Sequence, residues 1–283
     1  MANVWVLGNS FSNQSRNDNT WMKQVADRLE YTPHYLAVGG TSLDYTYKTF
    51  NDIRPQVLDN DVLILTLTDL NRRWMFKDNP EDAIWTKINV DDKQAMTSRR
   101  WVTKGETWEL VDREYDSINA VNEYLTYLDN PALQDVYLLN FLHNLQYFVK
   151  KHQVHIILLS CFEGIHDALT MYKTQFPLLH IGDKSLISIS KEEFEPGEFE
   201  RSGIMRNIFD LRLNHITRTN HDVMSNKLVD NIKNNEPITL RNGFIKGFLN
   251  CDIIQGLEFS NSEGFNVHQA EYYDFCMNYL RGI

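Results

Sequence analysis

Four short runs of apolar residues, separated by stretches of helical character, constrain this chain more than any other feature. They are Val4–Leu7, Tyr35–Val38, Val62–Leu67 (VLILTL) and His155–Ser160 (HIILLS). Their apolar character is continuous rather than alternating. A strand with that pattern is covered on both faces, as in a parallel sheet packed between helices. Between the first two runs, Trp21, Met22, Val25, Ala26 and Leu29 fall on one face of a helix, and Asn19 or Thr20 can cap it. Strands alternating with helices at this spacing predict an α/β fold, a three-layer sandwich with a central parallel sheet and right-handed crossovers.

The pattern breaks after Phe76. Residues 77–116 are polar and carry Trp85, Trp101 and Trp108, and RRWVTKGETWELV reads as a hairpin turning near Lys104–Gly105. This segment is expected to be an inserted hairpin or lid on the core, its tryptophans covering the core beneath it or, as the second reading, lining a sugar-binding surface. Residues 116–151 have helical periodicity with a break at Asn130–Pro131. Residues 161–210 read as irregular and include the acidic stretch EEFEPGEFE. A helix is expected from Asn220 to Ile232, with Met224, Leu228 and Ile232 on one face. Gly-punctuated short strands and a last helix near Gln269–Leu280 follow. The expected organisation is one α/β domain over 1–235, with 236–283 as a C-terminal extension packed on it.

Composition narrows the function classes. The 283 residues are 42% apolar and 23% charged, enough apolar content for a packed core. With Lys+Arg 28 against Asp+Glu 38, the net charge of −10 disfavours a nucleic-acid or anionic-membrane partner. No run of about 18 apolar residues would span a bilayer. The N-terminus lacks the basic and apolar regions of a secretory signal, so a cytoplasmic location is expected. The three cysteines, Cys161, Cys251 and Cys276, are far apart and form no C-x-x-C pair. That fits a reducing compartment and argues against a zinc or disulfide framework. His152, His155, His166 and His180 lack metal-ligand spacing, so neither metal nor cofactor is expected. G-x-G and Gly-Lys are both absent, which removes the dinucleotide and P-loop fingerprints, and there is no H-E-x-x-H or G-x-S-x-G.

One constellation remains. Gly8-Asn9-Ser10-Phe11-Ser12 follows the first strand directly, and open α/β sheets bind ligands outside the carboxyl ends of their strands. A hydroxyl nucleophile there needs a base. His215 supplies one, in the loop before the 220–232 helix. His221 is the rival, read more simply as a first-turn helix residue beside a Thr219-x-x-Asp222 capping box.

VWVLGNSFS resembles the first conserved block of the SGNH (GDSL-like) hydrolases, G-D-S-[LFY]-[ST], with Asn9 in place of Asp. AVGGTS at 37–42 resembles the second block, and NHITRTNHDVMSNKLVDNI resembles the block that carries the catalytic histidine before the last core helix. The T-D-x-x-R form after the third strand (Thr68, Asp69, Arg72) is closer to divergent SGNH proteins of phage genomes. The resemblance implies an SGNH-hydrolase, flavodoxin-like fold with Ser10 as nucleophile and His215 as base. It also implies an oxyanion hole from the N–H groups of Ser10 and Gly40, with Asn71 or Thr68 as a third donor. Arg212 stands where the family has the triad aspartate. Asp210, five residues before His215, is the candidate in its place.

The expected activity is ester hydrolysis through an acyl-enzyme, on short acyl esters such as O-acetyl groups of a small molecule or glycan, with acyl transfer as an equal outcome of the same machinery. Arg72 and Arg73, at a strand end, are candidates for binding an anionic substrate group. Two readings from other classes stand beside it: a non-catalytic or virion-associated binding protein on the same fold, and a phosphate- or nucleotide-modifying enzyme using the Arg72/Arg73 loop.

Overall fold

The structure, a computed structural model, describes residues 2–13, 20–39, 41–70, 72–75, 84–86, 88–89, 94–95, 99–104, 107–112, 131–194 and 213–247, with backbone alone for 73–112. The order of elements is β1 (Asn3–Leu7), α1 (Trp21–Leu29), β2 (Thr32–Tyr35), α2 (Leu43–Ile53) and β3 (Val62–Leu67). The inserted strands follow: β4 (Arg73–Met75), β5 (Ile84–Thr86), β6 (Ile88–Asn89), β7 (Gln94–Ala95), β8 (Arg99–Lys104) and β9 (Thr107–Asp112). Next come α3 (Pro131–Lys151), β10 (His155–Ser160), α4 (Glu163–Tyr172), β11 (His180–Ile181), α5 (Leu186–Glu192) and α6 (Arg218–Asn234).

The central sheet is parallel throughout, with strand order β2-β1-β3-β10-β11. The strand order changes direction between β1 and β3, and the carboxyl ends of strands at such a point are where open α/β sheets bind ligands. The alternation of side chains splits the apolar runs between two cores. Trp5, Leu7, Leu63, Leu65, Ile156 and Leu158 pack with Phe50 of α2, Phe141 of α3 and Ile165 of α4. Val4, Val6, Ile64, Ile157 and Leu159 pack on the other face with Trp21 and Met22 of α1, Leu186 of α5 and Met224 and Leu228 of α6. This is the three-layer α/β sandwich the sequence predicts. In the insertion, β8 and β9 pair antiparallel, from Arg99 with Asp112 to Lys104 with Thr107.

Asp61 anchors the amino end of the sheet. Fully buried, it accepts hydrogen bonds from the Leu58 and Asn3 backbone N–H groups, the Asn3 amide and Trp5 Nε1. Burial pushes its pKa up, but these bonds outweigh that and hold the carboxyl below its ordinary value.

Several local expectations change. The second strand is Thr32–Tyr35, earlier than the apolar run, because Asn3 pairs with Thr32 and Val6 with Tyr35. The run beyond it continues the pairing only through Leu36 N–H to Val6 O and Val38 N–H to Gly8 O. Helix α2, capped by the Ser42 hydroxyl, occupies a stretch the periodicity left unassigned. Residues 161–194, expected to be irregular, hold α4, β11 and α5. Residues 77–83 and 113–130, the acidic stretch at 195–200 and the extension beyond 247 lie outside the described residues. Within 236–247, Ile238 and Leu240 are buried against the α6 face of the sheet.

Candidate active site

The nucleophile turn is built by Gly8 and Asn9. Gly8 has φ +137°, and a Cβ there would fall 2.0 Å from Thr66 Oγ1 and 2.4 Å from the Thr66 carbonyl. Only glycine fits where β1 leaves the sheet across β3. Asn9 is buried, its Oδ1 accepting the Phe11 N–H at 3.0 Å, while the Ser12 N–H reaches the Asn9 carbonyl at 3.0 Å. Such an Asx turn holds a tight loop through the side chain. Asn9 Nδ2 also donates to Cys161 Sγ at 3.1 Å, and the Ser12 hydroxyl bonds that of Thr66. Burial pushes the Cys161 thiol up to about 12, more than the Asn9 bond lowers it, so it stays a neutral partner. Ser10, next in the chain after Asn9, is half-buried.

The opposing turn precedes α6. Asn214 and His215 both have left-handed backbones, at φ 50° and φ 62°. Two such residues in succession reverse the chain and direct the imidazole toward β1. Asn214 pins the reversal. Its amide donates to the carbonyl oxygens of Ser10 at 2.9 Å and Asn13 at 2.8 Å. His215 Nε2 then lies 2.9 Å from Ser10 Oγ, with the Phe11 ring 4.6 Å from the imidazole between centroids.

The start of α6 is held from a distance. Buried Glu193 accepts the Thr217 N–H at 2.9 Å, the Thr217 hydroxyl at 3.1 Å and the Asn220 amide. A carboxylate at a helix N-terminus satisfies its free N–H groups and faces the positive end of its dipole. The N-cap is therefore Thr217 with Glu193, and the helix begins at Arg218, not after a Thr219 capping box. His221 is buried and accepts the Trp21 N–H through Nδ1 at 3.0 Å. It ties α6 to the start of α1, while His215 faces the serine.

The structure thus brings Ser10 and His215 together. Thr68 directly follows the last residue of β3. Its hydroxyl is buried and has no hydrogen-bond partner among the described residues. Gly39 passes close to the nucleophile, since a Cβ on it would stand 3.9 Å from Ser10 Cβ. Arg72 is half-buried, its guanidinium 4.7 Å from the Phe162 ring centroid. Gly40, Asn71, Asp210 and Arg212 lie outside the described residues, as does the side chain of Arg73. Sequence reasoning missed Asn214, Glu193 and Phe162. For Asn214, its tolerance of left-handed backbone directly before His215 is the available signal.

No group of three or more His, Cys, Asp or Glu suited to a metal stands among the described residues, and none of their helices is long and apolar enough to cross a membrane. Fold and site together define a parallel-sheet α/β protein with a serine–histidine pair at the carboxyl ends of its central strands. No protein-family model matches the chain, and no curated protein matches it. Among solved structures it is similar to a protein from Desulfitobacterium hafniense DCB-2 assigned to the G-D-S-L family of lipolytic proteins, at 10% identity and TM-score 0.36, covering 80% of this chain and 97% of that one. It is also similar to trans-2-enoyl-CoA reductase of Treponema denticola, in complex with NAD, at 9% identity and TM-score 0.29, covering 98% of this chain and 82% of that one. Likenesses this distant leave the functional reading to the site.

Proposed function

We propose that the protein is a serine ester hydrolase of SGNH type, working through an acyl-enzyme on Ser10. The observation that carries this reading is the 2.9 Å separation of Ser10 Oγ and His215 Nε2 at the sheet's carboxyl ends. With its proton on Nδ1, His215 accepts the Ser10 proton at Nε2 as Oγ bonds the acyl carbon. The imidazolium then protonates the leaving alcohol as the tetrahedral intermediate collapses. Water, deprotonated by His215, attacks the acyl-enzyme, and the proton returns to Ser10 as the acid departs. The Ser10 N–H, Gly40, and Thr68 or Asn71 hold the oxyanion. Loss of one such donor typically costs about 10²–10³ in rate. Asp210 orients the imidazole. The substrates are short acyl esters, such as O-acetyl groups on a small molecule or glycan.

A fluorophosphonate probe together with p-nitrophenyl acetate turnover tests this. Wild type is expected to label and turn over, and Ser10→Ala and His215→Ala to lose both. An unlabelled wild type, or labelling that survives Ser10→Ala, rejects the mechanism and leaves a binding protein on the same fold.

A further inference from the structure

Arg72 is placed unusually for a surface cation. Its guanidinium packs over Phe162, Phe162 meets Phe11 edge-on at 5.9 Å, and Phe11 touches His215 at 4.6 Å. Three contacts therefore lead from the base to the guanidinium along one aromatic wall. Arg72 reaches this wall from the loop after β3, a turn closed by its own N–H to the Asp69 carbonyl at 3.2 Å. Among the described residues no acceptor forms a hydrogen bond or close ion pair with the guanidinium. Asp69 attracts the charge from farther away, and its carboxylate lies over the start of α4, 3.6 Å from where a Cβ of Gly164 would be. A half-buried guanidinium has lost hydration, and its five N–H donors are costly to leave unmatched. Burial accordingly lowers its pKa from the ordinary value, against the pull of Asp69.

We propose that Arg72 and Phe162 form an anion subsite beside the Ser10–His215 pair, and that the ester substrate carries a second, anionic group there. The flat guanidinium fork matches the paired oxygens of a carboxylate or phosphate, and Phe162 fixes its plane. The subsite names the substrate class of the esterase reading and rests on it for the reaction alone. The binding step stands without it.

The experiment compares three esters: p-nitrophenyl acetate, mono-p-nitrophenyl succinate with a carboxylate on the acyl side, and 4-acetoxyphenyl phosphate with its anion on the alcohol side. Wild type is expected to favour at least one anionic ester in kcat/KM, and Arg72→Gln to lower that anionic-to-neutral ratio about 10- to 100-fold, the span of a charge-assisted bidentate contact. Arg72→Lys, which keeps the charge without the fork, should fall between. The arm that responds tells carboxylate from phosphate. A ratio unchanged in Arg72→Gln, or no preference in wild type, overturns the subsite. In parallel, the Ser10→Ala protein is titrated with each anionic ester by NMR, so no turnover is needed. A dissociation constant raised about tenfold or more by Arg72→Gln supports the subsite even if hydrolysis fails, and equal binding by both proteins rejects it.

Discussion

Substitution of Asn214 separates the geometry of the serine–histidine pair from the chemistry of its two members. Asn214 is 6% exposed, and its amide joins the two turns through the Ser10 carbonyl at 2.9 Å and the Asn13 carbonyl at 2.8 Å. Each bond contributes about 1 kcal/mol net. The backbone sits at φ 50° and ψ 29°, where alanine loses roughly a further 1 kcal/mol that asparagine largely avoids. Asn214→Ala should therefore lose about 3 kcal/mol of stability, and Asn214→Gly about 1 kcal/mol less than that. With the clamp gone, Ser10 Oγ and His215 Nε2 no longer hold their separation. A misplacement of about 1 Å at reacting atoms costs on the order of 10²-fold in rate. Urea unfolding, read beside steady-state kinetics with p-nitrophenyl acetate, measures both effects. The expected result is a 10- to 100-fold fall in kcat for both variants with little change in KM, while stability separates glycine from alanine. A purely structural role would move stability alone. If Asn214→Gly keeps wild-type kcat and stays within about 0.5 kcal/mol of wild type, the clamp argument is wrong.

Two further outcomes follow from buried groups. His155 and His180 stack at 3.9 Å between centroids, and Asn231 of α6 bridges them, accepting from His155 Nε2 and donating to His180 Nδ1. Burial, then the proximity of His155, lowers His180 from 6.5 to about 4, and burial lowers His155 against the Asn231 bond. The unfolded chain thus takes up protons first, and stability fully present above about pH 6.5 is lost as pH falls toward 4. After allowance for partial exposure the His180 share is on the order of 2 kcal/mol. Unfolding free energies at pH 7.5 and 5 should differ less in His180→Gln than in wild type, and equal differences would refute the assignment. The Cys161 thiol, buried and raised to about 12, should resist iodoacetamide in the native protein at pH 8 and react on unfolding, as peptide mass spectrometry can follow. Native alkylation at Cys161 would contradict the packing around Asn9.

Much of the fold was readable because its determinants are local. VLILTL and HIILLS can be buried on both faces only in a covered parallel sheet, and the Trp21–Leu29 face declares its helix, with Thr20 as the cap. The elements missed are those whose stability comes from partners elsewhere. α2 mixes polar and aromatic residues and is recognisable mainly by the one face it buries, and β2 takes its bounds from pairing with β1, not from its own hydropathy. The start of α6 was misplaced because its cap is Glu193, a side chain 24 residues upstream of Thr217.

The candidate site divides along the same line. Sequence alone determined that a serine follows the first strand after a glycine, that a histidine precedes the last core helix, and that no metal or nucleotide fingerprint competes with them. Chain order and residue type carry that information. Only the tertiary structure decided which histidine faces the serine. His215 and His221 are six residues apart, and the left-handed turn at Asn214 and His215 sends one ring to Ser10 Oγ while the helix sends the other to the Trp21 N–H. It also decided that Arg72 lies against Phe162, which in turn meets Phe11. Such contacts join residues from about 90 to more than 200 positions apart, and their geometry is set by how β1, β3, β10 and α6 pack, which no local pattern in the chain encodes.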